Sequence, residues 1–114
     1  MFDLPHNLEA ETAVVGSIAL SRKASDHTAW LKAAMFYQPA NGEIMDAVRS
    51  VYAKGAGECD LVLLRDELAS RGRLKDVGGT EYLIQVMASV PSASNVGYYA
   101  QIVRECWARR EMIA

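Results

Sequence analysis

The chain has 114 residues, of which 51% are hydrophobic and 23% charged, and its net charge is −2. This length allows one domain around a single core, and the composition excludes an intrinsically disordered chain. Because duplex DNA binding relies on a dense basic surface, a weakly acidic domain is a poor independent DNA binder, and we expect protein partners.

The first two predicted elements follow from helical spacing of the apolar residues. The first helix runs from about Leu8 to Leu20, with Asn7 as its N-cap and acidic residues in its first turn. Residues 25–35 are more ambiguous and favour a short helix. That helix would carry three large side chains inward: Trp30, Leu31 and Met35.

The middle of the chain predicts two further helices. Pro39 interrupts the chain, and the pair Asn41-Gly42 is the predicted start of the third helix. Its apolar stripe has the spacing i, i+4, i+7 and i+8. The stripe consists of Ile44, Val48, Val51 and Tyr52. Asp60 then caps the fourth helix, and Gly72 suits the left-handed position that follows a helix end.

The last two helices follow Gly78-Gly79 and Pro91. The final helix has one apolar stripe, comprising Val96, Tyr99, Ala100, Val103 and Trp107. It also has a second apolar row, comprising Tyr98, Ile102, Cys106 and Ile113. A helix with two apolar faces needs neighbours on both sides. We therefore favour a helix that continues beyond this sequence over one that frays at its end. The prediction is an all-α fold, a compact orthogonal bundle of about six helices.

No catalytic or cofactor motif is found in the sequence. None of the four lysines stands in the Gly-Lys-Ser or Gly-Lys-Thr setting of a phosphate-binding loop. His6 and His27 are isolated, and Cys59 and Cys106 are too far apart for a metal or redox motif. Asp66-Glu67 is interpreted as a solvated helix face. We predict no enzyme activity, no cofactor and no metal for these residues.

The chain also lacks targeting features. Its first residues have no basic region followed by an apolar run, and no window reaches the ~18 apolar residues of a membrane span. The expected location is the cytoplasm, with no membrane association.

Three blocks of sequence carry a family resemblance. The first is Pro5-x-Asn7-x-Glu9-Ala10-Glu11, with Val14 and Gly16. The second is Asp60-Leu61, Leu68, Gly72-x-Leu74, Val77-Gly78-Gly79 and Tyr82-Leu83. The third is Pro91-Ser92-Ala93-x-Asn95-Val96-x-x-Tyr99-Ala100-x-Ile102-Val103-Arg104-Glu105. In order and spacing these blocks resemble the N-terminal domain of bacterial DnaB-type replicative helicases. One departure is Asn41, where the family usually has a histidine.

The resemblance implies a non-catalytic role in protein assembly. In this family the domain forms a hexameric collar above an ATP-driven ring and receives the C-terminal domain of primase, with helicase loaders as a further partner. Tyr82 and Ile113 match family positions linked to primase association. By the same resemblance, residues 1–114 are a single collar domain. The final helix would lead into a truncated helical hairpin, without the second hairpin helix, the linker and the ATPase domain. ATP and Mg would belong to the parent helicase.

Two alternatives remain open. Tyr82 could equally be a core aromatic beside Leu83, and Ile113 could pack against the second helix of the hairpin. The alternative function is a free-standing helical adaptor or DNA-binding regulator that reuses the fold. Salt-sensitive DNA binding by the isolated domain would favour that alternative.

Overall fold

A computed structural model describes residues 4–113, which fold into one bundle of α-helices. The helices are α1 (Leu8–Leu20), α2 (Arg22–His27), α3 (Pro39–Ala53), α4 (Leu61–Ser70), α5 (Gly79–Ala88) and α6 (Val96–Ile113). Short 3₁₀ turns lie at Ala33–Met35 and Ala93–Asn95, and residues 4–113 contain no β-strand. The prediction of an all-α bundle of about six helices is confirmed.

The residues that were predicted to begin and end helices occupy those positions in the structure. The Asn7 side chain accepts a hydrogen bond from the Ala10 amide at 2.9 Å, and Asp60 accepts one from the Leu63 amide at 2.9 Å. Gly72 follows α4 with a φ of +68°, a conformation that glycine adopts without steric cost. Each cap satisfies backbone groups that the end of a helix leaves unpaired.

Helix α1 is the central element of the core. It packs against α2, α3, α5 and α6, while α4 packs on α3 and α5. Its residues from Ala10 to Ala19 are buried, apart from the half-buried Thr12. Gly16 allows α5 to approach closely, because a Cβ atom at this position would lie 2.6 Å from the Val86 carbonyl oxygen. Val15 and Ile18 of this helix are fully buried, whereas Leu8 at its start is exposed.

The segment between α1 and α3 differs from the prediction. Helix α2 begins earlier, at Arg22, because the Ser21 hydroxyl caps it by accepting from the Ala24 amide. Residues 28–32 are then not helical, and the Arg49 guanidinium donates to the Leu31 carbonyl at 2.6 Å. Leu31 is fully buried, as predicted, but Trp30 is 38% exposed. The inward position predicted for Trp30 was therefore wrong.

The start of α3 was also predicted too late. The helix begins at Pro39 rather than at Asn41-Gly42, and both of those residues lie buried in its first turn. Proline fits the first position of a helix, because an amide there has no carbonyl partner within the helix. Pro39 therefore initiates the helix that it was expected to delay. The predicted apolar stripe of α3 is buried, as expected.

Glu67 is buried, although the sequence analysis assigned it to a solvated helix face, and that assignment was wrong. Its side chain is buried, and its two oxygens accept from the Lys54 ammonium and from the Arg71 guanidinium, the latter at 2.8 Å. These two hydrogen bonds lower the pKa of the Glu67 carboxyl. The neighbouring Asp66 is exposed, as predicted. Glu67 thus connects the ends of α3 and α4.

The close approach of α1 and α5 leads to a stability prediction. Gly16→Ala is expected to lower the free energy of unfolding by about 1–3 kcal/mol, because the added methyl group would overlap the Val86 carbonyl and the Val90 side chain. Gly97→Ala in α6 is the matched control, since nothing lies within 4 Å of its added Cβ atom. It should be neutral or stabilising by up to about 1 kcal/mol. Urea unfolding measures both changes, and equal stability of the two variants would refute the close packing.

Candidate protein-docking surface

Tyr82 lies in the first half of α5, where its ring is half-buried against the core. Its hydroxyl points inward and donates to the Asn41 side-chain oxygen at 2.5 Å. Burial raises the pKa of Tyr82, while the hydrogen bond to Asn41 acts in the opposite direction. The side chain therefore packs against the core, as one of the two sequence-based interpretations expects, and it is only half-buried, so the docking interpretation stays a prediction.

The position of the Tyr82 ring depends on the glycine one turn before it. Gly78 caps α5 in the left-handed conformation, with a φ of +116°. A Cβ atom at Gly78 would lie 2.7 Å from the Tyr82 Cβ atom. Gly78 therefore allows the helix to start and leaves room for the aromatic side chain.

Asn41 belongs to a buried polar cluster whose centre is Glu11 of α1. The Asn41 amide nitrogen donates to Glu11 Oε1 at 3.0 Å. The backbone amides of Tyr37 and Gln38 also donate to this carboxylate, at 2.7 Å and 3.2 Å. Glu11 therefore joins α1 to the residues that precede α3. The sequence had suggested only that it supplies negative charge to the first turn of its own helix.

Ile113 lies at the other candidate position, the last turn of α6. Its side chain is 62% exposed, and the second apolar row of α6 is also largely open, with Tyr98 75% exposed and Ile102 exposed. The opposite face of the helix is buried, through Val96, Ala100 and Val103. The predicted two-sided character of α6 is thus present in the structure, with one side packed on the domain and the other accessible.

Arg110 fastens the last turns of α6 to the rest of the domain. Its guanidinium donates to the Pro5 carbonyl at 2.8 Å and to the Met35 carbonyl at 2.9 Å. Its Cζ atom also lies over the Tyr37 ring, 5.5 Å from the ring centroid. The imidazole of His6 stacks on the same ring, with 4.0 Å between the two ring centroids. One side chain therefore connects three segments that are distant in sequence.

The structure places Tyr82 and Ile113 on different helices, and both helices pack on α1. The residues that connect these two regions, namely Glu11, Asn41 and Arg110, were not singled out as site residues from the sequence. Asn41 was noted only as a departure from a family pattern. Their roles depend on contacts between residues 26 to 105 positions apart, which local patterns do not encode.

The described residues contain no group of three or more His, Cys, Asp or Glu side chains that could hold a metal ion. Both cysteines are free thiols, and burial raises the pKa of Cys59 to about 12, so this thiol stays protonated at neutral pH. Within residues 4–113, no helix combines the length and the apolar character needed to cross a membrane.

The fold and this surface define an all-α domain with an accessible apolar face and a candidate docking residue on a second helix. The sequence profile of the family described as DnaB-like helicase N terminal domain matches residues 3–105. The chain therefore belongs to this family, as the resemblance of its three sequence blocks had predicted.

Curated relatives support the same assignment. The chain is 40% identical over 102 residues to the replicative DNA helicase DnaB of Mycobacterium leprae, and 39% identical over 110 residues to that of Treponema pallidum. These matches cover 89% and 96% of this chain, but only 17% and 25% of the relatives. The chain thus spans a quarter or less of the length of these helicases.

A solved structure agrees with the fold. The crystal structure of the N-terminal domain of DnaB helicase from Mycobacterium tuberculosis superposes with a TM-score of 0.90 at 38% sequence identity. The match covers 97% of this chain and 79% of that one. The chain is therefore similar to the N-terminal domain of a DnaB helicase in both sequence and fold.

The Arg110 contacts lead to a second prediction. Arg110→Met should lower the free energy of unfolding by about 1–3 kcal/mol, because two carbonyl groups lose charge-assisted hydrogen bonds. Amide hydrogen exchange in the last two turns of α6 should become faster in the same variant. Arg109→Met is the control, because Arg109 is exposed on the same turn. If the two variants had the same free energy of unfolding and the same exchange rates in α6, Arg110 would not be the residue that holds the end of this helix in place.

Proposed function

We propose that this chain is a non-catalytic oligomerisation and docking domain of a replicative DNA helicase. Its proposed partners are other copies of the same domain, the C-terminal domain of primase and a helicase loader. The observation that carries the proposal is family membership together with the accessible apolar row of α6. In this role the domain acts by binding, and the ATP- and Mg-dependent chemistry would belong to an ATPase domain of the parent protein.

The surface chemistry is consistent with binding to proteins. Tyrosine offers a large, rigid apolar ring and is enriched among residues that dominate the energy of protein interfaces. Tyr98 and Ile113 add exposed apolar area on α6. The overall charge of −2 gives little electrostatic attraction to nucleic acid. DNA replication in bacteria takes place in the cytoplasm, which is therefore the location that we propose.

Tyr82 and Ile113 provide the direct test of primase docking. In the full-length helicase, Tyr82→Ala or Ile113→Ala should weaken binding of the primase C-terminal domain about tenfold, which corresponds to ~1.4 kcal/mol. The reason is the loss of buried apolar contact in the complex. Isothermal titration calorimetry measures the dissociation constant, and circular dichroism checks that the helix content is unchanged.

Matched controls exist on the same two helices. Ile84→Ala removes an exposed apolar side chain from α5, and Met112→Ala removes one from the end of α6. We expect both variants to bind primase with nearly unchanged affinity. The proposed roles of Tyr82 and Ile113 would be contradicted if their variants bound as tightly as these controls. Salt-sensitive binding of the isolated domain to DNA would instead support a DNA-binding regulator.

Self-association has its own prediction. We propose that the stable collar requires a paired helical hairpin, of which α6 supplies one helix and a following segment of the parent protein supplies the other. Residues 1–114 alone are then expected to remain below the hexameric state at micromolar concentration. Light scattering measures the molar mass in solution. A stable hexamer of this chain would show that the second hairpin helix is not needed.

A further inference from the structure

Glu11 is an unusual residue at the centre of a small domain. Its side chain is only 1% exposed, and the salt bridges of residues 4–113 do not include it. A buried carboxylate is costly unless hydrogen bonds compensate for the lost water. Here three N–H groups do so, from Tyr37, Gln38 and Asn41. An apolar residue at this position would leave these three N–H groups unpaired in the core, so the carboxylate fixes the positions of all three donors.

The carboxylate dictates how the Asn41 amide is oriented. Both oxygens of this carboxylate accept from backbone amides, and the group of Asn41 that faces Glu11 Oε1 is its NH₂, which donates at 3.0 Å. The carbonyl oxygen of the same amide is then turned toward α5, where it can only accept. The Tyr82 hydroxyl supplies the matching donor. The hydrogen bonds therefore form a series that runs from the Tyr82 hydroxyl to Asn41 and from Asn41 to Glu11. Glu11 fixes the orientation of the Asn41 amide, and that amide fixes the Tyr82 hydroxyl.

The series ends on the side chain that is proposed to contact a partner. The Tyr82 ring has room at its base because Gly78 has no side chain, and its hydroxyl is held by Asn41. Because the Tyr82 hydroxyl already donates its hydrogen to Asn41, a partner would contact the accessible part of the ring. A ring that is already fixed loses less conformational freedom when a partner binds, which strengthens the association.

We propose that Glu11 and Asn41 are positioning residues for Tyr82, which hold its ring in the orientation that a docking partner recognises. This inference rests on the proposed docking function for its biological meaning, but the fixed ring is a property of the domain alone. Asn41 acts directly on Tyr82, and Glu11 acts through Asn41.

The test combines binding with a direct measurement of the ring. Tyr82→Phe and Asn41→Leu should each weaken binding of the primase C-terminal domain to the full-length helicase by about three- to tenfold, the range expected when one side chain must be immobilised on binding. The double variant should lose no more than either single variant, since both remove the same hydrogen bond. Tyr82→Ala should lose more than Tyr82→Phe, because it also removes the ring.

A second readout separates positioning from stability. In the 114-residue chain, NMR couplings should report one dominant χ1 rotamer of Tyr82, and Asn41→Leu and Tyr82→Phe should increase averaging of this side chain. Asn41→His is the conservative variant, because a neutral imidazole can donate to Glu11 and accept from Tyr82 at the same time. It should restore both the rotamer and the affinity. Asn95→Leu, at an exposed asparagine, is the control for the substitution itself.

The outcomes distinguish this inference from the proposed function. If Tyr82→Ala weakened binding while Tyr82→Phe and Asn41→Leu did not, docking would stand and the positioning role would be wrong. If Tyr82→Ala had no effect on binding, the docking role of Tyr82 would fall, and the rotamer measurement alone would decide the inference. A χ1 distribution that is unchanged in Tyr82→Phe would overturn it, even if Asn41→Leu failed to fold.

Discussion

The structure depends on one buried carboxylate. Glu11 lies on the central helix, and its oxygens accept hydrogen bonds from the backbone that precedes α3 and from the Asn41 side chain in its first turn. The backbone that it holds belongs to Tyr37, whose ring lies beneath the Arg110 guanidinium of α6. The same carboxylate therefore joins the core to α3 directly, to α5 through Asn41 and Tyr82, and to α6 through Tyr37.

These connections give a physical basis for the proposed docking surface, which extends over two helices. Interfaces gain affinity when their aromatic residues are fixed before binding, because less conformational entropy is lost. In this domain one aromatic ring on α5 is fixed by a hydrogen bond, and the end of α6 is fixed by Arg110. The remaining apolar row of α6 stays accessible, which suits a helix that packs against another chain segment or another copy.

Local signals were predictable from the sequence, and contacts between distant residues were not. Asn7, Asp60 and Gly72 could be assigned because a cap acts within four residues of its own position. Trp30 was misplaced because a guanidinium from α3 holds the backbone beside it in a non-helical conformation. The family resemblance made Tyr82 a candidate site residue, but the inward direction of its hydroxyl depends on Asn41, 41 residues away in the sequence.

Amide hydrogen exchange of the full-length helicase, with and without the primase C-terminal domain, is the most direct test of the central claim. The proposed docking surface predicts slower exchange in the first turns of α5, around Tyr82, and in the last turns of α6, around Ile113. The buried core of α1 should be unaffected, since it exchanges slowly in either case. Protection confined to another face, such as the exposed side of α4, or no protection at saturating primase would contradict the account.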